Sequence, residues 1–383
     1  MNASGNGAPL VSILMFVRNG AASIDRALRS VRNQTWTNIE FVVQDAVSTD
    51  GTLEKLRALG STLKLVSAPD RGPNEGLWRA LNRCQGEFIG SCLADEELLP
   101  NAVEHAVRVL LANPQAGAIT GDAIITDIAG RETGFWRSGP FNFIDYLMCD
   151  YTPYFVSSFF RRSALIDAGL TSAKWGKTCV EFELWCRLAT VRQILYTPET
   201  LAKYAAHPGQ SSNNGEEVAV QFAGRLEHID IVCRSGGLVD DSPSYRELFA
   251  WGNARRFIEH ALSVGRPETA RTVHRITREF LSRFSTDPLH GRQTDRSNIL
   301  GGLLAIVRRR SPNADILLPP PPQATVKASM YRKLANRYEA LGRLSEALEM
   351  WRAIARLGGL APDSGIGYTV AESRSNSSTA QST

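Results

Sequence analysis

From Leu10 to about Thr126 the chain alternates between short apolar runs and stretches whose apolar residues recur every three or four positions. The run LVSILMFV reads as a buried strand, and Ile24, Ala27, Leu28 and Val31 then fall at helical spacing. IEFVV, LKLVSA, GEFIGSCL and AGAITGDAIIT predict further strands. Such alternation predicts an α/β fold, a mostly parallel sheet with helices on both faces. From Arg131 to about Asn214 the pattern is mixed. An aromatic-rich stretch with Phe135, Trp136, Phe141, Phe143, Tyr146, Tyr151, Tyr154 and Phe155 precedes a strand and helix around SSFFRRSALIDAGL. Aromatics at this density predict core rather than a platform for a ligand.

After about Gly215 the pattern turns helical. LFAWGNARRFIEHALSVGRPETARTVHRITREFL and YRKLANRYEALGRLSEALEMWRAIARL each set a Gly-containing turn between two helices. In the second, Leu334, Ala335, Tyr338, Gly342, Ala347 and Trp351 resemble a tetratricopeptide-type hairpin. ILLPPPPQ predicts a stiff polyproline linker, and the polar, Ser-rich end predicts disorder. The expected organisation is a flexible N-terminus (1–9), an α/β domain (10–214), a helical extension (215–315), a Pro-rich linker (316–326), a helical hairpin (327–361) and a disordered tail (362–383).

Composition narrows the function classes. A formal charge of +4 on 383 residues is mild, and the basic residues of the first half are scattered, so nucleic acid is not an expected partner. MNASGNGAP lacks the basic start and apolar core of a secretory signal, and no apolar run approaches the ~20 residues that span a bilayer. Six cysteines without a CxxC pair predict core thiols in a reducing compartment. The expectation is a cytoplasmic protein, with peripheral contact to the inner face of a membrane or to a protein through its C-terminal helices. Arg255, Arg256, Arg266, Arg271, Arg275, Arg278 and Arg283 carry that expectation.

Candidate chemistry sits where strands end. Asp45 closes FVVQD and Asp95 follows GEFIGSCL. In an open α/β sheet the carboxyl ends of the strands line the ligand crevice, so acids delivered there by separate strands can meet across one polar ligand. A carboxylate at Asp45 can accept the N3 proton of a uracil ring. In CVEFELWCRLA, Glu181, Leu184, Trp185 and Leu188 follow helical spacing, which places Glu181 on the core-facing stripe and Glu183 toward solvent. Burial there would raise the Glu181 pKa toward the value of a general base. Arg161 and Arg162 are lesser candidates for meeting an acceptor or a phosphate.

In order, VSILMFVRNGAASIDRALRSVRNQTWTNIEFVVQDAVSTDGTLEKL, SAPDRGPNEGLWRALNRCQGEFIGSCLADEELLP, FELWCRLA and LAKYAAHPGQSS resemble the family-2 glycosyltransferases of the GT-A type. The resemblance covers roughly the first 215 residues and implies a Rossmann-like GT-A sheet and inverting transfer from a nucleotide diphosphate sugar, with UDP as the expected carrier. It implies nucleotide contacts from Phe16, Val17, Arg18, Asp45, Asp70, Arg71 and Ala94. It implies Mn²⁺ or Mg²⁺ held by Asp95 and His207, and Glu181 as the base. The implied acceptor is a glycan, glycolipid or other hydroxyl in polysaccharide or glycoconjugate synthesis. Two departures stand out: Ala46 replaces the second acid of the base-contacting pair, and Leu93 the first acid of Asp-x-Asp.

Two rivals belong to other classes. A noncatalytic nucleotide-sugar-binding or scaffold protein would act through the helical repeats, but has little reason to keep Glu181. A nucleotidyltransferase would need a Gly-rich phosphate loop after the first strand, where this chain has FVRNGAAS.

Overall fold

The computed structural model describes residues 7–171, 179–207, 215–241, 243–284 and 324–357. The flexible start expected at residues 1–6, the Pro-rich linker before residue 324 and the disordered tail expected from 362 lie outside them. Two compact units divide the chain, one of residues 1–141 and 152–210, the other of 142–151 and 211–383.

The first unit is an α/β sheet built by β1 (Val11–Val17), β2 (Ile39–Asp45), β3 (Leu63–Ser67), β4 (Phe88–Ser91), β5 (Glu97–Leu98), β6 (Ala116–Thr126), β7 (Glu132–Trp136), β8 (Ser158–Arg161) and β9 (Gln193–Ala205). Their order is β3-β2-β1-β4-β8-β6-β9-β5, with β7 on β6. The expected α/β class holds. Its parallel character lies in β3-β2-β1-β4 and in β6-β9, whereas β8 runs antiparallel to both β4 and β6 and makes the sheet mixed.

Helix α1 (Ile24–Arg32) forms as its spacing dictates, burying Ile24, Ala27, Leu28 and Val31. Helices α2 (Thr52–Arg57) and α3 (Pro73–Leu81) follow β2 and β3, and Pro73 starts α3 with the φ that a first helical turn requires. Helix α4 (Ala102–Ala112) leads into β6. The core under these elements includes Val11, Ile13, Met15, Phe41, Val43, Phe88, Ala106, Leu110 and Ile119.

Between β7 and β8 the chain enters the second unit as α5 (Phe143–Leu147), capped by Asn142, whose Oδ1 accepts from the Ile144 and Asp145 amides. It returns to the first unit for α6 (Arg162–Asp167) and α7 (Val180–Val191). The second unit continues with α8 (Gly215–Ser235), α9 (Pro243–Ser263), α10 (Pro267–Ser282), α11 (Ala324–Ala340) and α12 (Leu344–Arg356). Both expected hairpins form around left-handed glycines, Gly265 (φ 74°) and Gly342 (φ 72°). The helix that the sequence divides into linker and hairpin at residue 327 starts at Ala324. Segment 142–151 is tied into this unit. Asn253 donates to the Leu147 carbonyl at 2.6 Å, Arg255 pairs with Asp150 at 2.8 Å, and Lys327 bridges Asp145 at 2.6 Å and Asp150 at 3.1 Å.

No described helix is long and apolar enough to cross a membrane. All six cysteines are free, and only Cys149 is not buried.

Candidate functional site

The loops that follow β1, β2 and β4 are pinned to one another. Asn19, in the left-handed region at φ 57° where Asn is tolerated, donates its amide to Ser48 Oγ at 2.9 Å and accepts from the Thr49 amide at 2.9 Å. Gly20 donates to Thr52 Oγ1 at 2.8 Å, and the Ala21 amide donates to Asp50 at 2.9 Å. Asp50 also accepts from the amide of Thr52, the first residue of α2, at 3.1 Å. A side chain at Gly20 would lie 2.8 Å from Ala94 Cβ and 2.9 Å from Val17 Cγ2, so a glycine is required for the first and fourth loops to close together.

This packing brings the segments that follow β1, β2 and β4 close together at the carboxyl ends of those strands. Val17 pairs with Asp45 across the parallel strands. Half-buried Phe16 and Asp70 both approach Gly76, where a Cβ would meet them at 3.1 and 3.2 Å. Ala94 is 8% exposed. Arg18 is exposed. Arg71 is turned onto Glu75 at 2.8 Å, and this pairing holds the Glu75 carboxyl down at about 2. Asp45 has no exposed surface: its carboxylate accepts from Ser67 Oγ at 2.6 Å and from the Ser48 amide at 3.2 Å.

The second cluster follows β4. The Leu93 amide donates to Glu96 Oε2 at 2.8 Å and the Glu96 amide returns to the Leu93 carbonyl at 3.1 Å, a turn that holds Asp95 at its crest. His207 Nε2 lies 3.1 Å from Asp95 Oδ2, so residues 112 apart in sequence meet here. Glu96 is 6% exposed. Burial first, then the charges of Asp95 and Glu181, pushes it well above the usual carboxylate range and favours its protonated form. No helix starts at this acidic run, because Glu97 enters β5 and α4 begins at Ala102.

Three sequence readings are corrected. Glu181 is exposed, while Glu183 is 2% exposed and pairs with Arg187 at 2.6 Å. Helix α7 is buried on nearly every side, from Val180 through Ala189, so a single apolar stripe does not describe it. Glu181, in its first turn, still shares surroundings with the second cluster, since its charge acts on both Glu96 and Tyr154. Arg161 donates to the carbonyls of Ala116 at 3.1 Å and Leu110 at 2.6 Å, and Arg162 to that of Cys84 at 3.2 Å, so both serve the backbone rather than a ligand. Finally, the aromatic stretch is divided. Phe143 and Tyr146 are core, but Phe135 and Trp136 are 48% and 36% exposed.

Asp95 and His207 offer one carboxylate oxygen and one imidazole nitrogen, a donor set suited to a divalent cation. Among the described residues no group of three or more such side chains converges, so a cation held here would take its remaining ligands from a bound diphosphate and water.

The fold is an α/β sheet, and an acid-imidazole pair, Asp95 and His207, meets beyond the carboxyl end of β4. Residues 12–165 match the family described as Glycosyl transferase family 2, a segment that holds Asp45 and Asp95. An uncharacterized glycosyltransferase of Rickettsia typhi is 25% identical over 239 residues, 58% of this chain and 73% of that one. Hyaluronan synthase of Pasteurella multocida is 34% identical over 109 residues, 28% of this chain and 11% of that one. Among solved structures, a mannosyltransferase from Pyrobaculum calidifontis in complex with GDP-Man and Mn2+ aligns at a TM-score of 0.47 and 18% identity, over 79% of this chain and 81% of that one. The family match and the relatives support a glycosyltransferase.

Proposed function

We propose that this protein is an inverting glycosyltransferase that moves a sugar from a nucleotide diphosphate sugar, with UDP as carrier, to an acceptor hydroxyl. The observation that carries the reading is the meeting of Asp95 and His207 at 3.1 Å in a chain that carries a family-2 segment. Phe16, Val17, Asp70 and Ala94 would line the nucleoside. Asp45 would read the uracil N3 proton once the Ser67 hydroxyl rotates off its Oδ2. Arg18, and Arg71 when released from Glu75, would offset diphosphate charge.

Asp95 and His207 would hold Mn²⁺ or Mg²⁺, which supplies Lewis-acid stabilisation of charge on the departing diphosphate. Glu181 would take the proton of the acceptor hydroxyl as its oxygen attacks the anomeric carbon and the nucleotide diphosphate leaves, which inverts the configuration. An exposed carboxylate is in reach of an incoming acceptor, so the corrected position of Glu181 suits this role better than a buried one.

Calorimetry with UDP and Mn²⁺ tests the reading. Wild-type protein should bind UDP more tightly with the cation than without it, and Asp95→Ala should lose that difference while melting as the wild type does. Equal metal dependence in the two proteins would sink the assignment.

A further inference from the structure

Strand β7 pairs with β6 and is exposed at each of its five residues, Glu132–Trp136. Trp136, at its end, packs edge-on against Tyr154 with centroids 4.8 Å apart, and Tyr154 in turn packs edge-on against Tyr204 at 4.8 Å. The three rings come from separate parts of the chain: β7, the segment before β8, and the end of β9. Tyr204 stands three residues before His207. The Tyr154 phenol is raised by burial first, then by Tyr204 and by the charges of Glu96 and Glu181, which places it beside the acids. The row of rings therefore runs from solvent to the acidic cluster. Rings recruited solely to fill a core would be covered, yet 36% of Trp136 is exposed.

We propose that Trp136, Tyr154 and Tyr204 form the acceptor subsite, and that the acceptor is a saccharide whose C–H face stacks on Trp136. This rests on the reading of Glu181 as base. An aromatic face is electronegative and a pyranose presents a face of weakly positive C–H groups, so the two are complementary. The hydroxyls at the sugar's rim meet the acids further in. A lipid chain would ask for a continuous apolar groove, whereas Trp136 lies between Phe135 and exposed Arg137 on a strand that also carries Glu132 and Thr133. Tyr154 and Tyr204 act as positioning residues, fixing the tilt of the Trp136 ring.

The test uses cellotriose, chitotriose and maltotriose as probes on the full chain, with UDP and Mn²⁺ present, and saturation-transfer NMR with titration as the readout. At least one trisaccharide should bind, with saturation strongest at its ring C–H protons. Trp136→Ala should weaken that binding about tenfold, and Trp136→Phe, which keeps an aromatic face, by no more than about threefold. Binding of no trisaccharide to the wild type overturns the proposal. Equal affinity in wild type and Trp136→Ala does so too, and so does a loss of UDP affinity in Trp136→Ala with sugar binding intact, which would make Trp136 part of the donor site. Failure of the wild type to bind UDP would instead overturn the glycosyltransferase reading, whatever the sugars do.

Discussion

Glu181 and Glu183 stand two positions apart at the start of α7, and the structure gives them opposite surroundings. Glu183 is buried against Arg187, while Glu181 is exposed beside Glu96 and Tyr154. Glu181→Gln should lower kcat by on the order of 10² while sparing UDP affinity, because it removes proton acceptance and little else. Glu183→Gln should instead cost roughly 1–3 kcal/mol of stability, the usual cost of disrupting a buried charged hydrogen bond, with kcat of the folded fraction unchanged. Transfer kinetics and melting on the same preparations separate the two, and reversed outcomes would move the base to Glu183. The pair also shows where sequence reading stops. Periodicity ranks faces only when one face is wet, and α7 buries Phe182, Leu184, Trp185 and Cys186 around most of its circumference. Glu96 was illegible for a related reason: nothing in the run Asp95-Glu96-Glu97 marks one acid as buried, and only the fold turns its middle carboxyl inward.

Among elements, the amino ends of β1, β2 and β3 are tied by one buried carboxylate. Glu40 accepts from Ser12 Oγ, from Lys64 and from the amides of Gln85 at 2.6 Å and Gly86 at 3.2 Å. Burial opposes its charge, but Lys64, Ser12 and the Gln85 amide outweigh burial and hold its pKa below 4.5. A depressed folded pKa gives stability that is complete above the unfolded value and is lost as pH falls through the folded one. The Tm advantage of wild type over Glu40→Gln should therefore be full at neutral pH and shrink below about pH 4.5. Melting both proteins across that range checks it, and a constant difference would exclude the linkage. The strands Glu40 joins were legible, as were α1 and its four buried residues, because local periodicity encodes them. The insertion of β8 between β4 and β6 was not, since antiparallel pairing across some 70 residues leaves no local trace. Two-residue β5 was too short to read at all.

For the whole molecule, the second unit runs from 211 onward and also takes 142–151 from the middle of the other. Leu147, Asp145 and Asp150 are satisfied there by Asn253, Arg255, Lys327 and Tyr331. Ending the chain at 323 removes Lys327 and Tyr331 and strands Asp145 with a lost ion pair. Such a truncation should lower the melting temperature of the helical unit and open 142–151 to proteolysis. Limited digestion with mapping of the first cut is the check, and an uncut segment in the truncated protein would show that these contacts do not hold it. The Arg-rich helices answer the membrane expectation in part. Arg255 is committed to Asp150, Arg271 to Glu268 and Arg275 to Glu279, which leaves less unbalanced charge for an anionic surface than the sequence suggested.

The excursion through 142–151 also sets a clock. Tyr331 is made 186 residues after Asp145, which at roughly 5–20 residues per second is a wait of on the order of 10–40 s during translation. The last strand of the sheet, β9, is complete by residue 205, so the sheet can close around its core while α5 still lacks its final partners. Until Asn253 and Arg255 are made, a newborn molecule therefore carries a short helix capped by Asn142 without these later partners, and this is the period in which a chaperone or a protease has the best access to it.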